Sequence, residues 1–206
     1  MNHNLPDIIA HHDNDKAVAY LKTRGLIPFP GFYYVPILEY NGKVIRESVC
    51  MVSYNLMNEV SLIETRSTVS NSYDKLYVDK KSIPIWNIDK ISSSHTVIIT
   101  ESIIDAETIN QNINIDGVIA ISTYRASFTL AQFHFIIAMC MDKNVIMAYD
   151  NDEAGDTNEV RFVNYAKNKY GKEINRLSYP YKDINEFYLT TTRSIKLLKS
   201  SIMTLI

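Results

Sequence analysis

Cysteine is scarce in this chain, and its scarcity excludes several classes of protein. The 206 residues contain two cysteines, Cys50 and Cys140, which lie far apart and form no Cys-x-x-Cys pair. A disulfide framework and a zinc ribbon of ordinary spacing are therefore excluded, and a reducing compartment is favoured. Also missing are a signal-peptide pattern and an apolar run near the roughly 18 residues of a membrane helix. We expect a soluble, cytoplasmic protein (host cytoplasm if viral) with no membrane partner.

An excess of one charge is also lacking. The net charge is −2, and residues 1–95 carry ten basic and ten acidic side chains against eleven and thirteen in the remainder. Neither part is a basic module, so any contact with nucleic acid must come from a local patch or from a partner. The 46% content of hydrophobic residues is enough to bury a core in one domain or in two small ones.

The most informative stretch is 145–155, where an apolar strand pattern ends in Asp150 and Asp152 and a small-residue helix start follows. A calcium loop beginning at Asp150 is excluded, because its fifth position would be Ala154 and its twelfth Arg161, where that motif needs oxygen ligands. Two carboxylates this close repel each other. A bound divalent cation is the usual reason to keep them together.

A second unit of strand, acid and helix lies upstream. Residues 96–100 are typical of a buried strand, Glu101 closes it, and Asp105 follows one helical turn later. Strands that alternate with helices predict an α/β fold with a parallel sheet, and the acids that follow such strands share one edge. Strands are predicted at 96–100, 117–121, 144–149 and 174–178, and helices at 103–112, 128–140, 154–169 and 183–189.

The first part of the chain has a different pattern. A helix is predicted over 16–24, and short alternating strands follow from residue 33 to about residue 86. The first two strands, 33–40 and 43–51, are joined by Asn41-Gly42, which is a strong hairpin signal. This region is therefore expected to be a small antiparallel sheet with one helix.

Three other features leave alternatives open. The adjacent residues His11-His12-Asp13 are interpreted as a solvated lead-in rather than a metal cluster, because neighbouring side chains point in different directions. Trp86 is expected to pack under the domain junction rather than to stack on a base. The tail has an apolar stripe that either closes the core or docks a partner, with the core favoured. Its members are Ile195, Leu198, Ile202 and Leu205.

Three motifs together resemble the signatures of the Toprim family. They are Thr-Glu-Ser-Ile-Ile-Asp at 100–105, Asp-Asn-Asp-Glu-Ala-Gly at 150–155 and Lys-Asp-Ile-Asn-Glu at 182–186. The last motif, and the chain before residue 95, are similar to bacterial-type (DnaG-like) primases. The resemblance implies a Toprim (Rossmann-like) domain with a mainly parallel sheet, preceded by a small α+β subdomain. The implied boundaries are 1–94, 95–190 and, for a C-terminal helix, 191–206.

Two turns depart from the Toprim pattern. Ser102 stands where family members usually have a glycine after the first glutamate, and Ile121-Ser122-Thr123 stands where they usually have Gly-Thr. Because glycine permits tight turns that serine adopts at some cost, these departures concern loop geometry. The four acids are all present.

The resemblance implies a primase-like nucleotidyltransferase that synthesises short RNA primers on single-stranded DNA, in phage or plasmid replication. Mg²⁺ or Mn²⁺ is the implied cofactor, with two ions held by Glu101, Asp150 and Asp152 and with Asp105 acting through water. Glu101 alternatively moves a proton. The other two hypotheses are a metal-dependent Toprim nuclease and a catalytically weak Toprim protein that binds replication or transcription partners.

Substrate and partner contacts are implied by the same resemblance. The nucleic-acid-binding candidates are Arg46, Arg66 and Lys75, with Lys182 as a phosphate or carboxylate partner; ordinary surface charge is the alternative. Asp183 is interpreted as a helix cap or as a functional acid. The expected partners are single-stranded DNA, ribonucleotides, and a replicative helicase or a zinc-domain protein, because DnaG-like primases usually carry such domains beside this core.

Overall fold

A computed structural model describes residues 14–70, 72–79 and 83–206. The chain forms two compact units, Met1–Ser82 and Ile83–Ile206, each with its own four-stranded sheet. This division lies N-terminal to the boundary expected at residue 94, which stays a prediction, as does the boundary at residue 190.

Two sequence interpretations concern the N-terminal residues and membrane-spanning helices. The His11-His12-Asp13 cluster lies outside the described residues. In the parts of the chain that the structure covers, no helix has the length and apolar character needed to cross a membrane.

The first unit is an antiparallel sheet with one helix. The helix α1 begins after Asn14, whose side chain accepts a hydrogen bond from the backbone amide of Lys16 at 2.9 Å. Asn41 and Gly42 join the first two strands, and their φ angles of 50° and 77° are those a two-residue hairpin turn requires. The predicted hairpin is confirmed. The elements are α1 Asp15–Thr23, β1 Phe32–Tyr40, β2 Lys43–Tyr54, β3 Val60–Ser67 and β4 Tyr73–Tyr77, with strand order β1-β2-β3-β4.

The second unit is a parallel sheet flanked by helices, as the alternating pattern predicts. Its strands run in the order β6-β5-β7-β8, so the chain leaves the central strand β5 first on one side and later on the other. Ligands in such sheets bind beyond the carboxyl ends of the strands at this reversal. The strands are β5 Thr96–Thr100, β6 Val118–Ser122, β7 Asn144–Ala148 and β8 Asn175–Arg176; the helices are α2 Ile103–Thr108, α3 Leu130–Met139, α4 Glu153–Tyr170, α5 Ile184–Thr190 and α6 Ser194–Met203.

Two of the differences between the observed and the predicted element bounds have identifiable reasons. The helix expected from residue 128 begins at Leu130, because Thr129 and Gln132 form a reciprocal capping box at its start. The strand expected over 174–178 is reduced to Asn175–Arg176, the only two residues of that stretch that pair with β7. Periodicity reports apolar spacing, whereas capping and pairing fix the ends.

The core of the second unit explains why its strands have continuous apolar sequences. All five residues of β5 are buried, as expected for a central strand covered on both faces. Phe133 of α3 packs edge-to-face on Phe162 of α4, with ring centroids 4.5 Å apart. The tail helix α6 buries Leu198 and Ile202 while Ile195 is 36% exposed, so half of the predicted stripe joins the core.

Trp86 has a structural role in this unit. The side chain is buried, and its indole N–H donates to Glu107 Oε1 at 2.8 Å. Glu107 is itself buried and accepts further hydrogen bonds from the amides of Asn87 and Asn110. A buried carboxylate satisfied by neutral donors fixes the segment before β5 against α2.

Candidate active site

The acids of the two strand-acid-helix units lie together at the edge where the sheet order reverses. Glu101 follows β5, and Asp150 follows the neighbouring strand β7 after one residue. The backbone amide of Asp150 donates to Glu101 Oε1 at 3.1 Å, which joins the two strand ends directly. The predicted shared edge of the acids is therefore present within one unit.

Asp105 connects this edge to the third motif. It lies in the first turn of α2, is 4% exposed, and its Oδ1 accepts a hydrogen bond from the backbone amide of Asn185 at 2.9 Å. The Asn185 side chain donates to Thr108 Oγ1, also at 2.9 Å. The start of α5 is thus fixed against α2, so the three motifs converge although they are far apart in sequence.

Ser102 does not distort the first turn. Its backbone is extended, with φ −115° and ψ 153°, so the position does not require glycine. Its hydroxyl caps α2 by accepting from the Asp105 backbone amide at 3.1 Å, and it donates to Asp105 Oδ2 at 2.5 Å. The serine therefore orients one of the acids. At the second departure, Ser122 Oγ similarly donates to the Glu101 carbonyl at 3.0 Å.

Asp152 and Gly155 shape the turn after β7. Asp152 is exposed and caps α4, with Oδ1 accepting from the Gly155 backbone amide at 2.9 Å. A Cβ atom on Gly155 would lie 2.1 Å from the Asp150 carbonyl oxygen and 2.9 Å from Glu101 Oε1. Only glycine lets helix α4 approach the acids so closely.

Sequence reasoning missed the neutral side chains that hold this turn. Asn151 donates through Nδ2 to the carbonyls of Tyr179 and Tyr181, both at 2.6 Å, and its backbone amide donates to the Lys182 carbonyl at 2.7 Å. The buried Tyr179 hydroxyl donates to the Tyr149 carbonyl at 2.7 Å. The position of Asn151 between two aspartates was the one sign in the sequence that this residue matters. Its partners are about 30 residues distant, so no local sequence pattern identifies them.

Burial and mutual repulsion raise the pKa values of these acids. Desolvation, followed by the charge of Asp150, raises the pKa of Glu101 to about 8. Desolvation and the charge of Asp183 raise the pKa of Asp105 to about 7 and that of Asp150 to about 6. Lys182 acts in the opposite direction on Asp150. Carboxyl groups whose ionisation is penalised in this way are typical of functional sites.

Asp183 is the helix cap that the sequence offered as one of two interpretations, and its role as a functional acid stays a prediction. Its side chain caps α5 by accepting a hydrogen bond from the Glu186 backbone amide at 2.6 Å. Its charge also raises the pKa values of Asp105 and Asp150. One carboxylate therefore begins a helix and adds negative charge to the cluster.

Comparison with known proteins agrees with this geometry. Residues 98–188 match a family model described as Toprim-like. The second unit has the Toprim fold. No curated protein sequence matched the chain.

Solved structures with this Toprim fold include primase cores. The zinc-binding and RNA polymerase domains of the Aquifex aeolicus primase match with a TM-score of 0.74 and 18% identity over 95% of this chain and 57% of that one. The primase fragment of the bacteriophage T7 primase-helicase matches with a TM-score of 0.62 and 16% identity, over 85% of this chain and 66% of that one. A DnaG primase catalytic domain bound to single-stranded DNA matches with a TM-score of 0.66 and 14% identity, over 90% of this chain and 73% of that one. The chain thus spans less than two thirds of the first two proteins.

The Toprim acids have the donor chemistry of a hydrated divalent cation. Among the described residues, no three His, Cys, Asp or Glu side chains form a ready-made cation cage. Mg²⁺ does not require one, because it keeps several waters and usually binds one or two carboxylates together with substrate phosphates. A cation would also relieve the repulsion that raises the pKa values of Glu101 and Asp150. The residues present therefore fit such an ion.

The four predicted basic residues fall into different places. Arg66 and Lys75 lie together in the first unit around Glu64, which is 1% exposed: Arg66 donates to Glu64 Oε1 through Nε at 3.0 Å and Nη2 at 2.8 Å, and Lys75 Nζ lies 3.8 Å from Oε2. Arg46 is exposed on β2, opposite Ile37 of β1. Lys182 is exposed in the second unit, where its charge acts on Asp150.

Replacing Gly155 with alanine is expected to destabilise the fold by about 2 kcal/mol, because the new methyl group overlaps the Asp150 carbonyl and forces the helix away. An ordinary helical Gly→Ala change would instead stabilise by up to about 1 kcal/mol. Denaturant unfolding measures the difference, with Val160→Ala on the exposed side of the same helix as control. A stabilised Gly155→Ala variant would contradict the close approach.

The raised pKa values predict that stability falls as pH rises. The folded state holds protons on Glu101 and Asp105 that the unfolded chain releases above its ordinary carboxyl pKa of about 4, so the free energy of unfolding decreases between pH 5 and pH 8. Urea unfolding in chelator-containing buffer at several pH values measures this slope. Glu101→Gln should flatten it, and a slope equal to that of the original chain would refute the assignment of Glu101.

Removing the guanidinium of Arg66 is expected to destabilise the first unit by about 3 kcal/mol, because the buried Glu64 carboxylate loses two hydrogen bonds. Arg66→Ala and the double variant Arg66→Ala/Glu64→Gln are compared by thermal unfolding. The double variant should recover part of the loss, since no charge is then left buried. Equal losses in both variants would show that the uncompensated charge of Glu64 is not the cause of the destabilisation.

Proposed function

We propose that this chain is a primase-like, metal-dependent nucleotidyltransferase that synthesises short RNA primers on single-stranded DNA, in phage or plasmid replication. The observation that carries the proposal is the extent of the structural match. The similarity to primase cores covers 85–95% of the chain in the two matches first described, and so includes the first unit as well as the Toprim domain. A shared Toprim fold alone would support a nuclease equally well.

The proposed reaction extends an RNA strand by one nucleotide. The 3′ hydroxyl oxygen of the primer bonds to the α-phosphorus of a ribonucleoside triphosphate, the bond to pyrophosphate breaks, and the hydroxyl proton leaves. Bound Mg²⁺ or Mn²⁺ ions, two in number, would supply charge stabilisation of the phosphoryl oxygens and lower the pKa of the hydroxyl. The protein therefore needs no nucleophilic side chain of its own.

The Toprim acids divide this work according to their surroundings. Asp150 is half-buried and Asp152 is exposed at the edge of the sheet. There they would hold a hydrated ion together with the substrate phosphates. Glu101, with a pKa near 8 in the metal-free protein, would complete the second ion position or receive the hydroxyl proton. The buried Asp105, whose oxygens accept bonds from Ser102 and Asn185, would act through water.

The remaining contacts are proposed from the primase analogy. Arg46, Arg66, Lys75 and Lys182 would contact the phosphates of the template or of the incoming nucleotide. The similar proteins are described as a primase-helicase fragment, as zinc-binding and polymerase domains, and as a catalytic domain bound to single-stranded DNA. We accordingly propose a replicative helicase or a zinc-domain protein as the partner of this chain.

Primer synthesis tests the proposal directly. Single-stranded DNA, labelled ribonucleotides and Mg²⁺ or Mn²⁺ are incubated with the chain, alone and with the replicative helicase from the same source, and one gel resolves new RNA and shortened DNA. Asp150→Asn and Asp152→Asn, which keep the side-chain shape, should each reduce RNA synthesis by about 100-fold. Asp156→Asn, an exposed change in the first turn of the following helix α4, is the matched control and should retain activity.

The other outcomes are equally informative. Shortened DNA without new RNA would replace the primase with a metal-dependent nuclease. No product in either condition would overturn the enzymatic proposal and favour a Toprim protein that binds partners. Full activity of both aspartate variants would refute their assignment as metal ligands.

A further inference from the structure

The solvent-facing side of α4 carries a surface strip that the proposed reaction does not use. Arg161, Asn164, Tyr165, Asn168 and Lys169 line one shallow depression there. Their spacing of three and four residues places them on a single face of the helix. We call these five residues the α4 strip.

The strip contains only groups that suit a polyanion. It offers two cations, two amides and a phenol, and between residues 160 and 172 the sequence has no aspartate or glutamate. The acids of α4 all lie in its first two turns, near the Toprim edge. Glu173, just beyond the helix, is 3.0 Å from Lys167, which lies on another side. A helix of nearly balanced composition thus has strongly separated charges.

Aromatic rings hold the two cations of the strip. The Arg161 guanidinium lies over Phe128 at 6.0 Å from the ring centroid. Lys169 Nζ lies 5.3 Å from the Tyr165 centroid and donates to its hydroxyl at 3.0 Å. Groups held in position before binding lose less conformational entropy when a ligand arrives.

Helix capping alone does not account for this arrangement. Cations in the last turn stabilise the helix dipole, which explains Lys167 and Lys169. The effect fades beyond that turn, and Arg161 lies in the middle of a helix that ends at Tyr170. Dipole compensation also gives no reason for two asparagines aligned between the cations.

We infer that the α4 strip binds the backbone of a single-stranded nucleic acid. Phosphates would contact Arg161 and Lys169, which are about 12 Å apart along the helix axis, and the amides and Tyr165 would contact bases or sugars. The helix begins at the Toprim acids, so the strip lies on the same element as the candidate active site, beginning about 12 Å farther along it. The inference rests on the proposed function for the identity of the strand, template DNA or RNA product.

Binding of a labelled oligothymidine to the whole chain tests this inference without catalysis. Fluorescence anisotropy in chelator-containing buffer gives Kd over a series of salt concentrations. Arg161→Gln and Lys169→Gln should each weaken binding severalfold and reduce the slope of log K against log salt by about 0.7, the value for one phosphate contact to a single strand. In the double variant this slope should fall by about 1.4, the value for two such contacts.

Lys167→Gln is the matched control. Lys167 is exposed in the last turn of the same helix, so its loss changes net charge and helix dipole as the loss of Lys169 does, but it lies outside the strip. It should leave the slope unchanged. A slope loss equal to that of Lys169→Gln, or an unaltered double variant, would overturn the inference, as would failure of the original chain to bind the strand.

The inference and the proposed function can fail separately. If Asp150→Asn abolishes primer synthesis while the strip variants bind DNA normally, the strip is refuted and the primase survives. If the chain makes no primers but the double variant loses two phosphate contacts, the strip stands and the polymerase proposal fails. Repeating the titration with an RNA oligonucleotide of the same length shows which strand the strip prefers.

Discussion

The second unit depends on keeping several carboxyl groups together at one edge of a parallel sheet. Burial, and after it the repulsion between their charges, opposes ionisation, as the raised pKa values of Glu101, Asp105 and Asp150 show. The geometry is maintained by the bond from the Asp150 amide to Glu101 and by the missing side chain of Gly155. A bound cation would relieve this repulsion between the carboxylates.

Neutral hydrogen-bonding groups provide much of the support for these acids. Ser102 and Asn185 donate to Asp105, and Asn151 ties the turn after β7 to the segment that precedes α5. Donors without charge orient the carboxylates and leave their negative charge uncompensated. Lys182 is the cation whose charge partly offsets the rise in the pKa of Asp150. The groups that orient these acids therefore do not neutralise them.

Helix α4 carries chemically different groups in its first and its later turns. Its capped start lies among the acids, and its later turns present cations, amides and aromatic rings. A rigid helix fixes the separation of these two regions: at 1.5 Å per residue, Arg161 lies about 12 Å and Lys169 about 24 Å along the axis from the first helical residue, Glu153. The proposed metal chemistry and strand binding would thus be held at a fixed distance by one helix and not by a flexible loop.

The sequence by itself determined the type of fold and the identity of the acids. Apolar strands ending in Glu101 and Asp150 predict a parallel sheet with acids at one edge, because local periodicity and strand direction suffice for that conclusion. The start of α3 at Leu130 depended on capping by Thr129 and Gln132, and the short strand β8 depended on its pairing with β7. Only the tertiary structure decided that Ser102 orients Asp105, that Gly155 must lack a side chain, that Arg66 pairs with a buried Glu64, and that Asn151 and Asn185 link the motifs. The contacts of Gly155, Asn151 and Asn185 depend on which distant backbones approach one another, and sequence spacing contains no such distance. Ser102 and Arg66 bond to residues three and two positions away, and there the burial of Asp105 and Glu64 by the fold decided the outcome.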